Sequence, residues 1–140
     1  MIRYENKIPV DDYLRLREMA GWMKISRKQA ENAVNNCFYS VCVWDDNKVI
    51  GIMRILWNGD YCAYISDVIV DEAYRGQKIA STMMKQSIHY LKSQMEDDFV
   101  VKLFLMAAKG RESFYEQFGF VQRPNDSSGG ALDQWVYKDE

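Results

Sequence analysis

Residues 68–81 read Val-Ile-Val-Asp-Glu-Ala-Tyr-Arg-Gly-Gln-Lys-Ile-Ala-Ser: a β-branched run passes through a short turn straight into a long apolar-periodic stretch. β-branched side chains suit a pleated surface better than a helix. From residue 77 to about 94, Ile79, Met83, Ile88 and Leu91 fall near one helical face. Beyond a charged Glu96-Asp97-Asp98 turn, residues 99–106 read as a buried strand. Strand, helix and strand in this order imply a parallel pair. The junction also has chemical content. The first turn of a helix carries N–H groups with no intrahelical partner, together with the positive end of the helix dipole, so an anion placed there finds donors. Gly76 allows close approach to the main chain. The segment reads as a pyrophosphate cradle; taken alone, it reads equally well as an ordinary strand-to-helix turn.

The rest of the chain supplies elements around this unit. Residues 2–4 form a short first strand. Pro9 opens a helix through about residue 20, with Asp11 and Asp12 in its first turn and Leu14, Leu16 and Met19 as apolar positions. Ser26 is the N-cap of a second helix over residues 27–35. The two helices suit a substrate-side lid. Residues 37–44 and 49–57 form a hairpin around a tight turn at 45–48, and Asn58-Gly59-Asp60 turns into a third strand over 61–70. Residues 110–118 form a last helix. Phe120-Val121 and Trp135-Val136-Tyr137 supply two closing strands around a flexible loop at 125–130. The sum is an α/β sheet with helices on both faces.

Two motifs resemble the GNAT superfamily of acetyl-CoA-dependent N-acetyltransferases. The first is a loop of the form Arg/Gln-x-x-Gly-x-Gly/Ala, matched at its ends by Arg75, Gly76, Gln77, Lys78, Ile79 and Ala80, with Lys78 where the family usually has glycine. The second is Ser113-Phe114-Tyr115-Glu116-Gln117-Phe118-Gly119-Phe120, similar to the family's later Phe-Tyr-Glu-x-x-Gly-Phe motif at the expected spacing. The likeness runs at motif level from about Val41 to the C-terminus, and over the first forty residues by helical pattern only. It implies a mixed, mostly antiparallel sheet of six to seven strands, with a splayed parallel pair that admits pantetheine and about four helices on both faces, in a single domain over residues 1–140. It implies that the main chain of Val68, Ile69 and Val70 and the loop from Arg75 to Ser81 (Arg75, Gly76, Gln77, Lys78, Ile79, Ala80, Ser81) bind acetyl-CoA. It gives Tyr115 the role of general acid for the departing thiolate. Where relatives often have a cofactor-contacting Asn seven residues earlier, this chain has Ala108, so that contact is not carried over.

Acetyl transfer to an amine needs a neutral nucleophile, a polarised carbonyl and a proton for the thiolate. The phenol of Tyr115, ordinarily near pKa 10, suits the last task. For a general base the strand offers Tyr64 and Ser66 on one face and a single carboxylate, Asp67, which alternation places on the other. Asp67 is the candidate base, beside a structural hydrogen-bonding role for it and proton loss through ordered water. Trp22, Met23, Arg54, Trp57, Tyr61 and Tyr64 can wall an acceptor pocket, with Trp22, Arg54 and Tyr64 as the substrate candidates.

The composition sets limits on partners and compartment. A net charge of −2 and a pI near 5.5 argue against a nucleic-acid binder. One histidine, His89, in mid-helix, and three cysteines without metal spacing argue against a metal site. The odd cysteine count and the absence of a leader in residues 1–10 lead us to expect reduced thiols in the cytoplasm. No apolar run approaches the ~20 residues that span a bilayer. The leading expectation is transfer from acetyl-CoA to a primary amine of a small molecule by direct attack in a ternary complex. A protein lysine or N-terminal acetyltransferase and a non-catalytic acyl-CoA sensor are the alternatives, and a homodimer is open.

Overall fold

The computed structural model describes residues 1–139. Its sheet has five strands in the order β1 (Ile2–Glu5), β2 (Tyr39–Asp45), β3 (Lys48–Leu56), β4 (Cys62–Val70) and β5 (Lys102–Leu105). The first four pair antiparallel and β5 runs parallel to β4. Four helices accompany them: α1 (Val10–Met19), α2 (Arg27–Asn35), α3 (Ile79–Gln94) and α4 (Glu112–Glu116). The strand-helix-strand unit accordingly forms the parallel pair that its order requires.

The two helical layers lie on opposite faces of the sheet. Ile52 and Ile69 pack in one cluster with Tyr13 and Leu16 of α1 and Ala30 of α2. Gly51, one residue from Ile52 and so on the other face, lies 3.4 Å, measured from an added Cβ, from the Ile79 side chain of α3. Helix α1 starts behind Pro9 and buries Tyr13 and Leu16, while Met19 is exposed. Tyr13 therefore takes the inward place that the sequence had suggested for Met19. Helix α2 is capped as expected, the Ser26 hydroxyl accepting from the Gln29 N–H at 3.0 Å.

The expectation of six to seven strands is corrected to five. Residues 120–121 and 135–137 are not strands: beyond α4 the described residues hold one isolated bridge, Asn125 to Ser128. Val121, Trp135, Val136 and Tyr137 are exposed. Both runs are very short, and the first is cut off by Pro124, which has no N–H to give a ladder. The chain divides into two compact units, Met1–Leu105 and the residues from Met106 on. Sheet, α1, α2 and α3 all belong to the first, α4 to the second. Among the described residues no helix is long and apolar enough to cross a membrane.

Candidate functional site

β4 ends at Val70, and the connection to α3 is built by polar contacts at its start and left open at its end. Asp71 closes a 3-10 turn over Glu72–Tyr74, its carboxylate accepting from the Ala73 N–H at 3.0 Å and lying 3.3 Å from Lys48 Nζ. The Ala73 amide holds the Asp71 carboxyl below its ordinary range, against the effect of burial and with help from Lys48. The Tyr74 hydroxyl donates to Asp45 at 2.6 Å. Arg75, Gly76, Gln77 and Lys78 then run exposed into α3. Gly76 has φ +84°, a conformation that favours glycine, and open space lies where its side chain would be. Lys78 has φ 61° and ψ 24°. The loop thus keeps, at a lysine, the left-handed backbone that a glycine would supply, at a cost of about 1–2 kcal/mol. The helical ladder begins with the Thr82 N–H donating to the Lys78 carbonyl at 3.0 Å. The amides of Ile79, Ala80 and Ser81 precede it and point out of the helix start.

The parallel pairing of β4 with β5 ends at Ile65 and Leu105. On its other side β4 continues against β3, with Val68, Ile69 and Val70 opposite Met53, Ile52 and Gly51. The Asp71 N–H donates to the Ile50 carbonyl at 2.8 Å. Since peptide groups alternate direction along a strand, the Ile69 amide also turns toward β3, while those of Val68 and Val70 face the edge that β5 has left. These two amides and the start of α3 line the same end of β4.

The pairing with β5 stops where β4 carries a bulge. Arg54 pairs with Asp67 but Ile55 with Ile65, so Ser66 is an extra residue. The bulge corrects the facing expected from alternation. Leu56 pairs with Tyr64, and Arg54 and Leu56 share a face of β3, so Asp67 and Tyr64 share the α1 face of β4. Phe104 of β5 lies on that face too, its ring centroid 6.5 Å from that of Tyr64.

Asp67, 4% exposed, is the centre of a buried charged cluster. Its Oδ2 accepts from the Tyr13 hydroxyl at 2.7 Å, Arg54 Nε at 2.6 Å and the Ser66 hydroxyl at 3.2 Å. Arg17 Nη1 lies 3.7 Å from Oδ1. Arg54 also donates through Nη1 to the Ala33 carbonyl of α2 at 3.0 Å, and Arg17 through Nη2 to the Met23 carbonyl at 2.8 Å. The Arg17 guanidinium stands 5.7 Å from the Tyr13 ring centroid and 5.4 Å from that of Trp22, contacts worth about 0.5–2 kcal/mol each. Burial and the neighbouring Asp67 push the Tyr13 phenol up to about 12, so it is a neutral donor. Burial works to lower the Arg54 pKa, but Asp67 outweighs it and leaves the guanidinium raised.

Of the substrate candidates, the structure joins Arg54 and Trp22 through Asp67 and Arg17 and puts Tyr64 on the same face. Tyr13 and Arg17 escaped the sequence reading, although their i,i+4 spacing on α1 sets them side by side. His89 is exposed, the three cysteines are free, and the described residues contain no group of three or more His, Cys, Asp or Glu able to hold a metal.

Tyr115 belongs to the second unit, on α4. It is half-buried, with ring centroids 5.0 Å from Phe114 and 6.2 Å from Phe120. Burial raises its phenol pKa, opposed by Arg111, so the proton stays on at neutral pH. Ala108 accepts from the Arg111 N–H through its carbonyl at 2.9 Å, a main-chain contact within the turn before α4.

The sequence model of the acetyltransferase (GNAT) family matches residues 8–120, taking in α1 and α2 as well as both motifs. A probable acetyltransferase of meticillin-resistant Staphylococcus aureus is 29% identical, with a TM-score of 0.82 over 96% of this chain and 100% of its own. A GNAT-family protein of Streptococcus pneumoniae shares the fold at 22% identity, with a TM-score of 0.79 over 99% of this chain and 100% of its own. An uncharacterized N-acetyltransferase of the alga Gracilaria tenuistipitata var. liui is 26% identical over 132 residues, which are 91% of this chain and 70% of that protein.

Proposed function

The chain belongs to the acetyltransferase (GNAT) family, and from that premise we propose that it moves an acetyl group from acetyl-CoA to the primary amine of a small molecule. The observation that carries this reading is the open end of β4, where unpaired amides of Val68 and Val70 meet the free amides at the start of α3. Amides at a helix start suit a pyrophosphate. Amides along a strand edge suit the peptide-like pantetheine arm and the thioester oxygen, which gains charge as the amine attacks. Arg75 and Lys78 are exposed and add positive charge beside the phosphates.

The attack is direct, in a ternary complex. The amine nitrogen bonds to the thioester carbon, the C–S bond breaks, and the thiolate takes the phenol proton of Tyr115. The surplus proton on the amine leaves to water, and the Tyr115 phenolate takes a proton back from water. Asp67 already accepts three hydrogen bonds on one carboxylate oxygen, which suits it to hold Arg54 and Tyr13 in place more than to receive a proton.

The test is thiol release from acetyl-CoA over an amine panel, comparing wild type with Tyr115→Phe. We expect amine-dependent release that falls about tenfold or more in the variant. Because the phenol pKa is raised, its acid form persists past pH 10, and the alkaline loss of kcat lies above the ordinary tyrosine value. No release with any amine, alongside measurable CoA binding, would replace this reading with a non-catalytic acyl-CoA sensor.

A further inference from the structure

The cluster on the α1 face of β4 holds two cations and one anion. Guanidinium groups stay charged at every accessible pH, Asp67 is the single carboxylate among them, and Tyr13 is neutral. The neighbouring acids are engaged elsewhere: Asp11 with Arg27 at 2.6 Å, Asp12 with Arg15 at 3.2 Å and Asp71 with Lys48 at 3.3 Å. Among the described residues one positive charge is therefore left over, in a setting where the Arg17 and Arg54 side chains are 12% and 10% exposed. A nearly buried charge without a counterion is costly, and the stacking of Arg17 on Tyr13 and Trp22 orients the guanidinium without neutralising it. Donors are also left over. Among the described residues Arg17 Nη1 has no hydrogen-bond acceptor within reach, and Arg54 engages Nε and Nη1 but not Nη2. The cluster sits on β4 beyond the last residue paired with β5.

We propose that the acceptor carries an oxyanion, a carboxylate or a phosphate, besides its amine, and that Arg17 and Arg54 bind this oxyanion on the α1 face of β4. The inference rests on the acetyl-transfer reading of the same site and narrows its substrate class. A planar guanidinium with two free donors pairs well with a carboxylate or phosphate edge. The same excess charge disfavours polyamines and other acceptors whose remaining groups are cationic. Arg17 and Arg54 are specificity-determining residues here, and Asp67 and Tyr13 are positioning residues that hold them.

The experiment compares matched pairs by calorimetric titration into the CoA-loaded protein and by kcat/KM in the thiol-release assay. α-Amino acids and ω-amino carboxylates are set beside their amides, and amino-sugar phosphates beside the unphosphorylated sugars. We expect at least one anionic member to bind about tenfold or more tightly than its neutral counterpart, and Arg17→Gln to erase that ratio. Arg17→Lys, which keeps the charge and loses the fork, should keep part of it and serves if Arg17→Gln does not fold. The carboxylate and phosphate pairs tell the two oxyanions apart. Equal binding within every pair, preference for the neutral member, or no binding at all would overturn the proposal. An anionic preference without thiol release would uphold it and overturn acetyl transfer instead.

Discussion

The loop from Arg75 to Lys78 and the cluster around Asp67 hang from the same strand and are built on opposite terms. The loop is exposed and works through its main chain, so what it demands of a residue is a φ value; a lysine at φ 61° meets the demand as a glycine would, at some strain. The cluster is buried and works through side chains, so each member is held to its identity by the charge of the others. A residue foreign to a motif can therefore be tolerated in the first region, while a change of one atom in the second unbalances a charge.

The sharpest way to break this contrast is Asp67→Asn. It strands two guanidinium groups with little solvent, and we expect a loss of about 3–5 kcal/mol in denaturant unfolding. A loss under about 1 kcal/mol would show that the cluster is wet and that the two regions do not differ in kind. Gly76→Val asks the opposite question. A Cβ added there meets nothing within 4 Å, so the damage comes chiefly from φ +84°: about 1–2 kcal/mol of stability, with CoA affinity down by roughly tenfold as the loop re-forms.

A pH titration sharpens the cluster's side of the comparison. The Tyr13 phenol is raised in the folded protein from 10 to about 12, so the protein binds a proton there that the unfolded chain has released. Its contribution is fully present below pH 10 and is lost as pH climbs through 12, about 3 kcal/mol at most. Tyr13→Phe should lose about 1 kcal/mol at neutral pH and show a shallower fall between pH 10 and 12 than wild type. The smallest effect is expected for Lys78→Gly, where relief of strain is largely offset by the freer unfolded chain, so stability changes by less than about 1 kcal/mol. CoA binding should weaken only by the lost charge, and recovery at low salt would locate that charge on the phosphates.

The regions also differed in how readily they could be read from sequence. The helix after the strand, its open first turn and the parallel pair follow from local pattern, because hydrophobic period and turn chemistry act over a few residues. The facing of Asp67 did not, since a single extra residue at Ser66 defeats a period-2 argument and nothing in Tyr-Ile-Ser-Asp-Val announces it. Arg17 was hidden for a different reason: an arginine on an amphipathic helix reads as a solvated face until the partner strand shows a carboxylate opposite. Residues 120–121 and 135–137 have strand composition but lack length, and composition alone overstated the sheet.

Ser66 is where the competing demands on β4 meet. Bulges bend and over-twist the strand that carries them, and this one falls between the last residue paired with β5 and the amides left open beyond it. A chain shortened by that one residue would keep every partner on β3, because Asp67 would still meet Arg54 and Ile65 would still meet Ile55. It would also have a straighter strand, without the local bend and over-twist at the point where the open amides begin. Such a variant trades use for endurance: it gains a regular strand and loses the bend beside the open amides, so a search for hardier versions of this protein should treat a tidy β4 as a warning.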